Sequence, residues 1–171
     1  IHVNSFSKSF AMTGWRVGYT AGPQSLMKEL KKIQSHSSSC LPPFIEEAAT
    51  FAAEQGKKLM KGKLELLAKR RDRVLEGLKS FPDGVRFVEP QGAFYLFLDL
   101  RELLAGSKDY APHNSLAFCE MLLTDYHMAV VPGEAFGSPG FLRFSYATSD
   151  EMIDQGLDLL NQAIKNCLVA D

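Results

Sequence analysis

The sequence predicts an α/β protein made of two lobes, and three observations predict it. Short apolar or alternating segments that read as strands are interleaved with amphipathic stretches that read as helices. A long, charged helical pattern runs from Leu59 to about Ser80. At 1.5 Å per residue, its roughly twenty residues reach about 30 Å, a length that suits a helix bridging two lobes. Phe81-Pro82-Asp83-Gly84 then breaks the pattern, and beyond it the periodicity becomes that of strands. A domain boundary is therefore expected along this helix, with residues 1–75 on one side and 76–171 on the other.

Each element follows from local pattern. Ile1 and Val3 alternate with polar residues, as at the end of a strand, and Trp15–Thr20 reads as a second one. Ala21-Gly22-Pro23 ends it, and Pro23 suits the first turn of a helix. Ser25 to about Ser35 carries Leu26, Leu30 and Ile33 between lysines, an amphipathic helix. The polar run Ser35–Cys40 and the Pro42-Pro43 pair mark an irregular segment. Pro43 to Gln55 is expected to form a second helix that buries Phe44, Ala48 and Phe51 and is closed by Gly56. Past the long helix, Val85–Val88 and Ala93–Asp99 read as strands. Leu116–Tyr126 reads as a helix with Leu116, Phe118, Cys119 and Leu122 facing inward. Met128–Val131 and Phe141–Tyr146 are further strands. Thr148 and Ser149, followed by Asp150-Glu151, open a last helix to about Asn166.

Composition excludes several classes of function. A hydrophobic content of 46% with 23% charged residues is that of a soluble globular protein, and 171 residues make one domain or part of a larger one. A formal net charge of −1 gives no electrostatic case for binding nucleic acid or an anionic membrane. No apolar run approaches the roughly 18 residues needed to span a bilayer. Cys40, Cys119 and Cys167 are odd in number and widely separated, unlike a disulfide framework. His2, His36, His113 and His127 lack metal-ligand spacing, so no metal site is expected. The chain opens on Ile1 in mid-strand without an initiating methionine and reads as a piece of a longer protein. The cytoplasm is the expected compartment, with an organelle such as a plastid or mitochondrion left open.

The chemistry is concentrated at the start. Asn4-Ser5-Phe6-Ser7-Lys8-Ser9-Phe10-Ala11-Met12-Thr13-Gly14-Trp15-Arg16-Val17-Gly18-Tyr19 places one amine among small hydroxyl residues, with a guanidinium eight positions later between glycines. Lys8 offers a nucleophilic amine. Ser5, Ser7 and Arg16 offer two neutral donors and a permanently charged fork for a phosphate. An amine that attacks a carbonyl beside a phosphate clamp is what a pyridoxal phosphate site needs. The stretch resembles the cofactor-lysine signature of the class I aminotransferases, the fold-type I pyridoxal phosphate enzymes.

Three further segments resemble motifs of that family. Arg143 lies on the strand Phe141-Leu142-Arg143-Phe144-Ser145-Tyr146-Ala147; by period two it shares a face with Ser145, opposite Leu142, Phe144 and Tyr146. Read alone, it is a surface arginine or a bidentate clamp for a carboxylate. The segment resembles the family's R-x-S-x-A motif, whose arginine holds the substrate α-carboxylate. Pro132-Gly133-Glu134-Ala135-Phe136-Gly137 resembles the P-G-x-x-F-G loop, in which Phe136 is expected to shape the mouth of the site. Pro90-Gln91-Gly92-Ala93-Phe94-Tyr95 resembles the P-x-G-A-F-Y hairpin, where Gly92 is expected to take a backbone conformation closed to other residues. Ser37-Ser38-Ser39 falls where the family sends a loop into the partner subunit's cofactor pocket; it also reads as a plain serine loop.

The resemblance, to aspartate- and prephenate-type aminotransferases in particular, spans nearly the whole chain and matches the family's carboxyl-terminal half. It implies the end of the large cofactor-binding domain, including the bridging helix, followed by a small α/β domain with a short sheet flanked by helices. It implies pyridoxal 5′-phosphate as cofactor, a Schiff base to Lys8, phosphate contacts from Ser5, Ser7 and Arg16, and substrate binding by Arg143. The expected reaction is transamination of an aspartate-like or aromatic L-amino acid with a 2-oxo acid such as 2-oxoglutarate. The expected assembly is a homodimer with shared active sites. The family supplies the pyridine-nitrogen aspartate, the tyrosine near the cofactor oxygen and the ring-stacking aromatic from its amino-terminal half. The 171 residues are therefore expected to be inactive alone. A carbon–sulfur β-lyase of the same fold, or a non-catalytic cofactor-binding or dimerising remnant, stays open at this point.

Overall fold

The chain begins with a two-stranded antiparallel ribbon, β1 (His2–Ser5) and β2 (Gly18–Ala21), joined through the four-residue helix α1 (Phe6–Ser9) and a 3-10 turn at Thr13–Trp15. The computed structural model describes residues 1–106 and 112–167. Two long helices follow, α2 (Gln24–Ser37) and α3 (Pro43–Gly77). The described residues divide into two compact units, Ile1–Leu64 and Glu65–Asp171, the division falling inside α3.

Trp15–Thr20 is not one strand. Arg16 adopts a left-handed backbone (φ +53°), and so the extended run starts only at Gly18. The helix expected to stop at Gly56 and the one expected to start at Leu59 are a single 35-residue helix. Gly56 is not a terminator here. A Cβ at that position would collide with Cε1 of Phe10, so the missing side chain makes room for a ring. The cost of glycine inside a helix, about 1 kcal/mol relative to alanine, is offset by that packing.

The core of the first unit contains Phe6, Met12, Val17, Ala49 and Ala52, with Phe10, Leu41, Ile45 and Ala48 packed against it. The helix face turned to the rings is therefore the one with small residues. Phe44 and Phe51, expected inside, lie seven residues apart on another face and are 67% and 58% exposed. Apolar periodicity identified a helix but not which of its faces has a neighbour in this unit.

In the second unit four strands form an antiparallel sheet in the order β3 (Arg86–Phe87), β4 (Tyr95–Asp99), β6 (Phe141–Ser145), β5 (Val131–Pro132). Helices α4 (Arg101–Ala105), α5 (Ser115–Asp125) and α6 (Asp150–Cys167) complete it. Leu96 and Leu98 of β4, with Leu142 and Phe144 of β6, turn one face into a core with Val74, Phe118, Leu122, Tyr146, Ile153 and Leu160. Leu116, expected to face inward, is 57% exposed. The strand expected over Met128–Val131 begins at Val131, because His127 turns through a left-handed φ and Met128 donates back to the Leu122 carbonyl. Cys119 is buried. Burial first, and the Glu134 carboxylate second, push its thiol up to about 12. Among the described residues, no helix is long and apolar enough to cross a membrane.

Two ion-pair groups brace this unit. Arg70 and Arg73 of α3 meet Asp150 and Asp154 of α6. At the end of β4, Arg101 donates from Nε and Nη2 to the two carboxylate oxygens of Asp99, at 2.9 and 2.7 Å, and from its backbone N–H at 3.1 Å. The hydrogen bond from Arg101 holds Asp99 below the usual carboxylate range. A lowered folded-state pKa contributes stability above the unfolded value, near 3.9, that is lost as pH falls through the folded one. Melting temperature is accordingly expected to fall as pH drops below about 4, with a shallower fall in Asp99→Asn, where that linkage is gone; equal slopes would exclude the pair as a contributor.

Candidate active site

Ser5 ends β1 and caps α1. Its extended backbone leaves Oγ free to accept from the Ser7 N–H at 3.0 Å, and its hydroxyl lies 2.9 Å from Ser7 Oγ. Lys8 sits in the next position of α1, exposed. Register brings the other half of the motif alongside, because Ser5 pairs with Gly18. Phe6 N–H donates to the Val17 carbonyl at 3.1 Å, so the residue between the two serines is tied to the one after Arg16. A Cβ at Gly18 would meet the Asn4 carbonyl oxygen at 2.7 Å, which is why the strands can close up at this point.

Arg16 holds its left-handed backbone without the freedom of glycine, at a cost of about 1–2 kcal/mol. Its Nη1 donates to the Thr13 carbonyl at 3.1 Å and the side chain is otherwise exposed. Ser5, Ser7, Lys8 and Arg16 thus share one end of the ribbon: two hydroxyls, one amine and one guanidinium. An open groove of about 900 Å³ in the same unit, lined by Phe6, Val17, Tyr19, Leu41 and Ala49 among others, includes none of these four residues.

The second unit presents its own cluster on the open face of the sheet. Arg143 pairs across the strands with Phe97 and lies half-buried. Its guanidinium carbon sits over the Tyr95 ring at 4.3 Å and over the Phe136 ring at 4.6 Å. Phe136 meets Phe97 edge-on at 6.0 Å, and Phe97 stacks on Phe141 at 4.9 Å. Among the described residues Arg143 has no carboxylate partner. A guanidinium that rests on two rings, with no acid of its own, keeps its N–H edge for an incoming anion.

The family signature in Phe136 therefore marks a ring that touches the arginine directly. Tyr95, a strand residue by its pattern, touches the same guanidinium. The signal for it lay in the hairpin motif, whose last residue it is. Gly92 does not supply the special backbone conformation there. Ala93 does, with φ +61°, held by the Tyr146 hydroxyl donating to its carbonyl at 3.3 Å. Ser37 ends α2, Ser38 caps it, and Ser39 turns left-handed. Among the described residues no three His, Cys, Asp or Glu side chains gather as metal ligands do.

The model for "Aminotransferase class I and II" matches residues 1–160. The chain belongs to the class I and II aminotransferases. Within this family it is 39% identical over 166 residues to the aspartate aminotransferase of Thermotoga maritima, covering 97% of this chain and 40% of that protein. It superposes on the crystal structure of the aspartate aminotransferase from Rhizobium meliloti with a TM-score of 0.86 and 38% identity, covering 96% of this chain and 42% of that one. The aromatic aminotransferase from Pyrococcus horikoshii gives a TM-score of 0.83 and 34% identity, over 96% of this chain and 42% of its own. The chain thus spans about 40% of the length of the aminotransferases it matches.

Proposed function

We propose that the protein to which this chain belongs is a pyridoxal phosphate-dependent aminotransferase. It would move the amino group of an aspartate-like or aromatic L-amino acid to a 2-oxo acid such as 2-oxoglutarate. The observation that carries the reading is the gathering of Ser5, Ser7, Lys8 and Arg16 at one end of the β1–β2 ribbon, in a chain of this family.

That donor set fits the cofactor. A primary amine suits its aldehyde, and two hydroxyls with a permanently charged fork suit its phosphate. When bound, pyridoxal phosphate supplies an electron sink that makes the substrate Cα–H acidic. Lys8 Nζ holds the cofactor covalently and then serves as general base and acid for the Cα proton. Ser5, Ser7 and Arg16 hold the phosphate and so fix the depth at which chemistry occurs. Arg143 binds the substrate α-carboxylate through its N–H edge, and Tyr95 and Phe136 set the plane of that guanidinium.

Residues 1–75 would close the large cofactor domain and 76–171 form the small one; the division into compact units on the same helix supports that reading. The remaining parts of the site belong to the rest of a homodimer with shared active sites, and the exposed turn at Ser37–Ser39 is placed toward a partner subunit in this proposal. The 171 residues alone are proposed to be inactive, and robust turnover of aspartate and 2-oxoglutarate by this chain with added cofactor would refute that. In the full-length protein, borohydride reduction with pyridoxal phosphate followed by peptide mapping is expected to place the pyridoxyl label on Lys8. A label on any other lysine would sink the assignment.

A further inference from the structure

Ser115 is fully buried and carries a hydroxyl that its own helix does not need. The N-terminus of α5 is already capped by Asn114, whose Oδ1 accepts from the Ala117 N–H at 2.8 Å. A buried hydroxyl without a partner is costly, so the partners it has define what it does. Ser115 Oγ lies 2.7 Å from both carboxylate oxygens of Glu134, to which it donates, and it accepts from the Gly140 N–H at 2.7 Å.

Those two partners stand near opposite ends of one loop. Glu134 lies in the 3-10 turn Gly133–Phe136, and Gly140 immediately precedes β6. Inside the loop, Gly137 N–H donates to the Glu134 carbonyl at 3.1 Å and Ser138 N–H to the Gly133 carbonyl at 2.9 Å. Between the two anchored ends projects Phe136, which is 48% exposed and rests on Arg143. An aromatic ring with half its surface in water has little packing of its own to hold it.

We infer that Ser115 is a positioning residue for carboxylate binding: by joining Glu134 to Gly140 it closes the 133–140 loop and keeps Phe136 on the Arg143 guanidinium. The inference rests on the reading of Arg143 as the substrate-carboxylate clamp. It gives Glu134 a part in the same device, as the acceptor that holds the Ser115 hydroxyl in place. Neither residue touches the substrate. Their effect passes through the ring, whose contact with the guanidinium sets the plane of the fork before an anion arrives.

The test uses the full-length protein with cofactor bound, succinate as the probe, and isothermal titration calorimetry as the readout. Ser115→Ala is expected to weaken succinate binding about two- to fivefold, the range for an exposed cation–π contact. The KM for the amino acid should rise in parallel while kcat holds. Phe136→Ala should weaken succinate to a similar degree, and Ser115→Ala should then add nothing in that background. Glu134→Gln, whose amide oxygen still accepts from the hydroxyl, should bind as the unmodified protein does. Full additivity of Ser115→Ala with Phe136→Ala, or unchanged succinate binding in Ser115→Ala, would overturn the inference. Should Ser115→Ala not fold, Glu134→Ala carries the same expectations and the same refutations. Arg143→Ala separates the two levels. If it leaves succinate binding intact, the clamp reading itself fails. If it abolishes binding while Ser115→Ala and Glu134→Ala do not weaken it, only the role of Ser115 fails.

Discussion

Lys8→Ala in the full-length protein is expected to lower transamination by about 10⁴-fold or more, at or beyond the upper end of what a positioned acid–base group contributes. The loss is expected to be large because the proposed function gives one amine two duties, covalent attachment and proton transfer, and no neighbouring group in the motif can take over either. Ser5, Ser7 and Ser9 offer only weakly basic hydroxyls, and the guanidinium of Arg16 has no acceptor lone pair. Stability is expected to change by no more than about 0.5 kcal/mol, since the side chain is exposed and the substitution leaves a good helix former in α1. Steady-state kinetics, the absorbance of bound cofactor and a thermal melt together check this. Retention of more than about one hundredth of the rate would place the proton transfer elsewhere.

The second large effect is expected at Arg143. Arg143→Ala should reduce kcat/KM for the amino acid by about 10- to 100-fold, the equivalent of losing hydrogen bonds to a charged partner. Arg143→Lys should recover only part of this. Lysine restores the charge but not the planar fork, and its compact ammonium cannot lie flat on Tyr95 and Phe136 as the guanidinium does. If lysine restored full efficiency, charge alone would suffice and the two rings would have no part in binding. Competitive inhibition by a dicarboxylate, measured on the three proteins, separates the outcomes without relying on turnover.

Much of the candidate site was legible because its residues are close in sequence. Ser5, Ser7, Lys8 and Arg16 fall within twelve positions, so their types and spacing alone propose an amine beside a phosphate clamp. Their convergence needed the ribbon, in which Ser5 pairs with Gly18 and the left-handed Arg16 ends the turn. Arg143 was legible as a charge on an apolar strand. Its partners were not, because Tyr95 and Phe136 stand 48 and 7 residues away and reach it through strand pairing and a loop. Gly56 misled for a related reason. Glycine reads locally as a stop, whereas here it accommodates a ring from residue 10.

The sequence by itself determined the alternation of strands and helices, the family and which residues are candidates for the chemistry, since these rest on periodicity and on short contiguous motifs. Tertiary structure alone decided that two helices are one, that Phe44, Phe51 and Leu116 face outward, and that Ser115 links Glu134 to Gly140. Each depends on what lies across a gap, and burial or a hydrogen bond is a property of two chain segments that meet in space. A residue's type records what it can offer. Only the fold decides what it is offered to, which is why Arg143 could be found in the sequence and the two rings it rests on had to be seen.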